Sequence, residues 1–117
     1  MKMTHWLAVA AVLVLVGMFL LKRARQTSPD VAQQLVGDGA LLLDVRTPEE
    51  FTAGHIPGAT NIPVGELGSR LGELNEHRSG PVVVYCRSGN RSASARALLE
   101  TAGFSQVHDL GAMSRWP

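Results

Sequence analysis

The apolar residues of this chain fall into blocks whose spacing changes along the sequence. From Trp6 to Leu21 the run WLAVAAVLVLVGMFLL holds 16 residues without one polar side chain. A helix packed on a soluble core keeps a polar face, so an all-round apolar run predicts a helix bathed in lipid. At this length it spans about 24 Å, somewhat less than a hydrocarbon core of ~30 Å. Thr4 and His5 can lengthen it at one end, Lys22 can snorkel at the other, and Trp6 suits an interface.

Beyond a brief linker the period changes. Ser28-Pro29-Asp30 reads as a helix start, with Ser28 as N-cap, Pro29 in the first turn and Asp30 at the positive dipole end. Val31, Leu35 and Val36 form its apolar stripe and Gly37 ends it. Ala40 to Val45 predicts a buried strand. Thr47-Pro48-Glu49-Glu50 is a capping box that opens a short helix through Ala53, with Phe51 turned to the core. Gly54-His55-Ile56-Pro57-Gly58-Ala59 is a turn leading to Asn61-Ile62-Pro63. Leu67, Leu71 and Leu74 recur at helical spacing, predicting a helix from Gly65 to Asn75 that Gly68 and Gly72 weaken by about 1 kcal/mol each.

Pro81 to Tyr85 (PVVVY) shows no polar alternation and predicts a strand buried on both faces. Ser92 to Glu100 favours a helix with Gly103 past its end, and Gln106 to Leu110 predicts a last short strand. Strands alternating with helices imply an α/β fold, a mostly parallel sheet covered on both faces, preceded by the apolar helix. The expected division is a membrane segment over residues 1–25 and a folded domain over 26–117.

Composition narrows the partners. Eleven Lys and Arg stand against ten Asp and Glu, so nothing points to nucleic acid. The single cysteine excludes an internal disulfide and a cysteine-based metal cluster within one chain. His5, His77 and His108 lack ligand spacing, so no metal is expected. Around the apolar run, Lys22, Arg23 and Arg25 follow the span and Lys2 precedes it, which places the C-terminal side in the cytoplasm. Export after signal-peptide cleavage is the competing reading. It is weakened by the lack of an Ala-x-Ala-like site and by the basic Lys22-Arg23-Ala24-Arg25.

The candidate chemistry lies at Cys86, where the central strand hands over to a helix. A lone cysteine there is commonly a small buried hydrophobe. The following loop argues otherwise: Arg87-Ser88-Gly89-Asn90-Arg91 is too cationic for a core connection, and Gly89 and Asn90 tolerate positive φ. Such a loop can turn the amides of Arg87 to Ser92 inward as a nest, at a helix N-terminus that favours anions. A thiol in that field ionises more readily, and the thiolate is its reactive form. Arg87 and Arg91 would attract an anionic substrate, although Arg91 can instead brace the loop through an ion pair. Asp44 and Arg46, at the end of the neighbouring strand, are expected to brace the cysteine loop. His55 is read as a structural histidine ordering its turn, and Met113 and Trp116 as packing residues.

These residues carry a resemblance. Cys86-Arg87-Ser88-Gly89-Asn90-Arg91, together with Leu41 to Arg46, Glu50-Phe51, Gly54 to Ala59 and Asn61-Ile62-Pro63, resembles the rhodanese (thiosulfate sulfurtransferase) family. The likeness runs from about Ser28 to Trp116. It implies the rhodanese three-layer fold and transfer of a sulfane sulfur from thiosulfate or a similar anion to a thiol or cyanide, through a Cys86 persulfide and without a cofactor. Membrane lipid around residues 6–21 would be the further partner. The spacing is Cys-x4-Arg, one residue shorter than the Cys-x5-Arg loop of cysteine phosphatases and arsenate reductases, and cramped for a tetrahedral oxyanion. A membrane-tethered module that relays persulfide is the other alternative. The family pattern has a second glycine where this chain has Gly111-Ala112, which leaves less backbone freedom there, and the short C-terminus implies a brief final helix.

Overall fold

The computed structural model describes residues 2–117; the side chains of Lys2, Lys22, Arg23 and Ala24 lie outside the description, and with them most of the charge reading around the span. The first helix, α1, covers Lys2–Ala24. Its stretch Met3–Leu21 is long and apolar enough to cross a membrane, and none of it is buried against the rest of the chain.

The remaining elements alternate as the apolar pattern requires. Ser28 caps α2 (Pro29–Gly37), its Oγ accepting from Val31 N. Strand β1 is Leu41–Asp44, α3 is Pro48–Ala53 and β2 is Thr60–Asn61. Helix α4 (Val64–Leu67), a 3₁₀ helix (Leu71–His77), β3 (Pro81–Cys86), α5 (Asn90–Thr101), β4 (Gln106–Ala112) and a closing 3₁₀ turn (Met113–Arg115) complete the chain. The sheet runs β2-β1-β3-β4 with every pair parallel.

Because side chains alternate across a strand, β3 feeds two cores. Val82, Val84 and Cys86 join Leu43, Val45 and Leu99 under α4 and α5. Val83 and Tyr85 join Leu42, Ala32 and Leu110 under α2, where Met113 and Trp116 pack as expected. The central strands are therefore sealed on both faces, which leaves their carboxyl ends as the place for chemistry.

Three expectations need correction. The single helix predicted over Gly65–Asn75 is broken: α4 stops at Leu67, Arg70 leaves helical geometry at φ −116°, and the chain resumes as a 3₁₀ helix. Two glycines in so short a stretch remove the backbone preference that would carry the helix through. Phe51 stacks on His55, ring centroids 3.7 Å apart, instead of joining the core. The linker after α1 is docked: Thr27 N donates to Asp109 O at 2.7 Å, and Arg96 Nη1 donates to Arg25 O at 2.7 Å.

Candidate active site

Cys86 is the last residue of β3 and Asn90 the first of α5, so three residues turn the chain from strand to helix. Gly89 makes that turn at φ 99°, a left-handed conformation that costs a residue with a side chain about 1 kcal/mol or more. The turn folds the loop back over the strand end, and Gly89 N donates to Cys86 Sγ at 2.9 Å. Ser92, buried in the first turn of α5, accepts from the thiol at 3.5 Å and donates to Gly89 O at 3.2 Å. The sulfur thus sits at the head of a helix with a loop amide aimed at it.

The sulfur is also covered. Cys86 has 0% of its surface exposed, whereas the expected arrangement is a nucleophile at the base of an open pocket. Burial alone fits a small core hydrophobe; a backbone N–H pointed at the sulfur does not, because core amides are spent on the sheet or the helix. Arg87, Ser88 and Asn90 are exposed around this point.

Arg91 resolves toward bracing. Its Nη1 and Nη2 donate to Glu50 Oε1 and Oε2 at 2.6 and 3.0 Å, a bidentate pair that ties α5 to α3. Arg87 takes no such partner among the described residues and keeps its guanidinium in solvent. Glu50 also closes the predicted capping box, its Oε1 accepting from Thr47 N at 3.1 Å while Thr47 Oγ1 accepts from Glu50 N at 3.2 Å. The Arg91 bond, and then the Thr47 amide, hold the Glu50 carboxyl at about 2 instead of the ordinary 4.5. A depressed carboxyl contributes stability that is complete above its unfolded value and lost as pH falls through the folded one. Thermal melts should therefore lose this contribution between pH 4.5 and about 2. In Glu50→Gln that part of the acid dependence should vanish; an unchanged profile would remove Glu50 as a brace.

Sequence reasoning saw Glu50 only as a cap. The pair spans 41 residues, and local spacing is silent on it. A signal existed in the topology, since β1 and β3 are parallel neighbours and the loops leaving their carboxyl ends must lie side by side.

Asp44 and Arg46 act on a different loop from the one expected. The Asp44 carboxylate accepts from Arg46 N at 2.9 Å, Nε at 3.1 Å and Nη2 at 2.7 Å. Arg46 Nη2 also donates to Gly54 O at 2.7 Å, and its guanidinium lies 5.8 Å from the centre of the Tyr85 ring. Tyr85 Oη accepts from Ile56 N at 3.1 Å, and burial pushes this phenol well above its ordinary value. The latch secures the turn after α3. Its hold on the cysteine loop is indirect, through Tyr85 beside Cys86 and through the seat of Glu50. His55 plays the structural part assigned to it, Nδ1 lying 2.9 Å from Phe51 O.

A cysteine at the carboxyl end of a central parallel strand, met by an amide of the loop that opens the next helix, marks an α/β domain organised for thiol chemistry on small anions. The chain belongs to the rhodanese-like domain family, whose pattern it matches over residues 28–116. It is 36% identical over 93 residues to a thiosulfate sulfurtransferase, GlpE, of Ectopseudomonas mendocina, covering 79% of this chain and 84% of that one. To thiosulfate sulfurtransferase PspE of Escherichia coli it is 34% identical over 71 residues, 61% of this chain and 68% of the relative. Among solved structures, the human single-domain sulfurtransferase TSTD1 superposes with a TM-score of 0.68 at 31% identity, covering 79% and 94% of the two chains. A rhodanese with anions from E. coli superposes with a TM-score of 0.63 at 31% identity, over 68% and 95%.

Proposed function

We propose that this chain is a sulfurtransferase that moves a sulfane sulfur from thiosulfate or a related donor to a thiol or cyanide, by way of a persulfide on Cys86. The Gly89 amide on Cys86 Sγ at 2.9 Å carries the reading, because it stabilises negative charge on that one atom. The names of the family relatives supply the reaction class.

In the first half-reaction the Cys86 thiolate attacks the outer sulfur of thiosulfate. A new S–S bond forms, the S–S bond of the donor breaks, and sulfite leaves with its electron pair. In the second, an acceptor thiolate or cyanide attacks the terminal sulfur and Cys86 departs as thiolate. No outside oxidant is needed. Arg87, exposed beside the loop, attracts the donor, and the amides from Arg87 to Ser92 hold the persulfide. Arg91 stays on Glu50 and keeps the loop in place. Because the sulfur is fully covered, Arg87 to Gly89 must lift before a donor reaches it. Incubation with thiosulfate should add the mass of one sulfur atom, localised to Cys86 by peptide mass spectrometry. An unmodified Cys86 under those conditions would end the proposal.

The covered sulfur also favours a second reading, in which a partner protein carrying a persulfide opens the loop on docking. That version predicts sulfur uptake from such a donor and little turnover on free thiosulfate. A phosphatase is disfavoured by the Cys-x4-Arg loop.

The apolar helix fits a membrane tether that leaves the domain on the cytoplasmic side. Its supports are the length of Met3–Leu21 and the complete exposure of that stretch. The full chain should resist carbonate extraction from membranes, and the domain should be shielded from protease in intact cells. A mature chain beginning beyond Arg25 would instead identify an exported protein.

A further inference from the structure

Gln26 stands outside the residues matched to the family, in the segment between α1 and α2, yet its side chain lies against the cysteine loop. A Cβ added to Gly89 would meet Gln26 Nε2 at 3.1 Å, and one added to Gly111 would meet the same atom at 2.5 Å and Gln26 Cδ at 2.8 Å. Both glycines are left-handed, with φ of 99° and 87°. They adjoin each other, since the Gly89 Cβ direction also points to Gly111 Cα at 3.8 Å.

The slot has a cause in the sheet. Val84 pairs with Asp109 but Tyr85 pairs with Gly111, so β4 carries one extra residue, Leu110, opposite the end of β3. A bulge of this kind turns the strand away from its neighbour and opens space beside it. Gln26 is held over that space by bonds on both sides, Thr27 N to Asp109 O and Arg96 Nη1 to Arg25 O, each 2.7 Å. Its carboxamide has no hydrogen-bond partner among the described residues. What it supplies to the loop is volume.

We propose that Gln26 is a positioning residue for sulfur transfer: by filling the slot between Gly89 and Gly111 it keeps the loop against the strand end, with the Gly89 N–H on Cys86 Sγ. The kinetic part of this inference rests on Cys86 being the sulfur carrier; the packing part does not.

The test uses the full-length chain in detergent. In Gln26→Ala, kcat for thiosulfate:cyanide transfer should fall about tenfold with KM for thiosulfate moving less than about twofold, because the residue orders the loop without touching the donor. Gln26→Met, of similar volume and without the amide, should restore kcat to within about twofold of wild type. Unaltered kcat in Gln26→Ala, or equal loss in both variants, would overturn the proposal. Gly111→Ala should cost less stability in the Gln26→Ala background than alone, since part of its cost is the contact with Gln26; additive costs would also overturn it. If the wild-type chain transfers no sulfur, the enzyme reading fails by itself. The iodoacetamide alkylation rate of Cys86 then replaces kcat: it should change in Gln26→Ala and return in Gln26→Met, and a rate alike in all three would overturn the proposal.

Discussion

Cys86→Ser is expected to abolish thiosulfate:cyanide transfer, by about 10³-fold or more, while leaving the fold nearly untouched. The two effects separate because the hydroxyl fits the site and fails at the chemistry. Ser92 Oγ and the Gly89 N–H, now 3.5 and 2.9 Å from the sulfur, would still serve a hydroxyl as acceptor and donor. The stability change should stay within about 1 kcal/mol. A serine hydroxyl is a poor nucleophile unless a base takes its proton, and no histidine or carboxylate bonds to residue 86 here. Turnover and urea unfolding on the same preparation decide the matter; wild-type-like turnover would remove Cys86 from the mechanism.

The largest effect on stability is expected at Asp44→Ala. Its carboxylate has 0% exposure and the Arg46 side chain 5%, so removal strands a buried guanidinium with Gly54 O as its remaining bonded partner. Breaking one side of such a pair costs about 3–5 kcal/mol, against a total of about 5–15 kcal/mol for a domain. The variant should sit close to unfolding at room temperature. Replacing both partners, Asp44→Leu with Arg46→Met, should cost less than the single change because no lone charge stays behind. Urea titration of the three proteins checks this, and a loss under about 1 kcal/mol in Asp44→Ala would mean that water reaches Arg46.

The legible parts of this chain were those coded locally. The unbroken apolarity of Pro81 to Tyr85 announced a strand sealed on both faces, and Ser28 and Thr47 announced two helix starts. Cys86 was legible because strand, loop and helix follow one another without interruption. What depended on distant parts of the chain was not. The bond from Arg91 to Glu50, the seat of Gln26 and the extra residue in β4 all arise where separate segments meet. Gly65 to Asn75 failed for a different reason: leucine spacing states which face is apolar, not whether glycine-bearing backbone will hold α geometry. The depth of the sulfur was hidden as well, since it depends on how far Gly89 folds back.

The docked linker has a consequence for how copies of this protein coexist. A sheet of this order ends in two borders, and unpaired strand edges invite another chain to add itself. The β2 border is short, only Thr60–Asn61. The β4 border is seven residues long and would be the more adhesive one, but Thr27 already occupies Asp109 O near its middle. Cutting the chain between Arg25 and Ser28 should therefore uncover that border and promote self-association. The peptide that joins helix to domain doubles as a guard against aggregation.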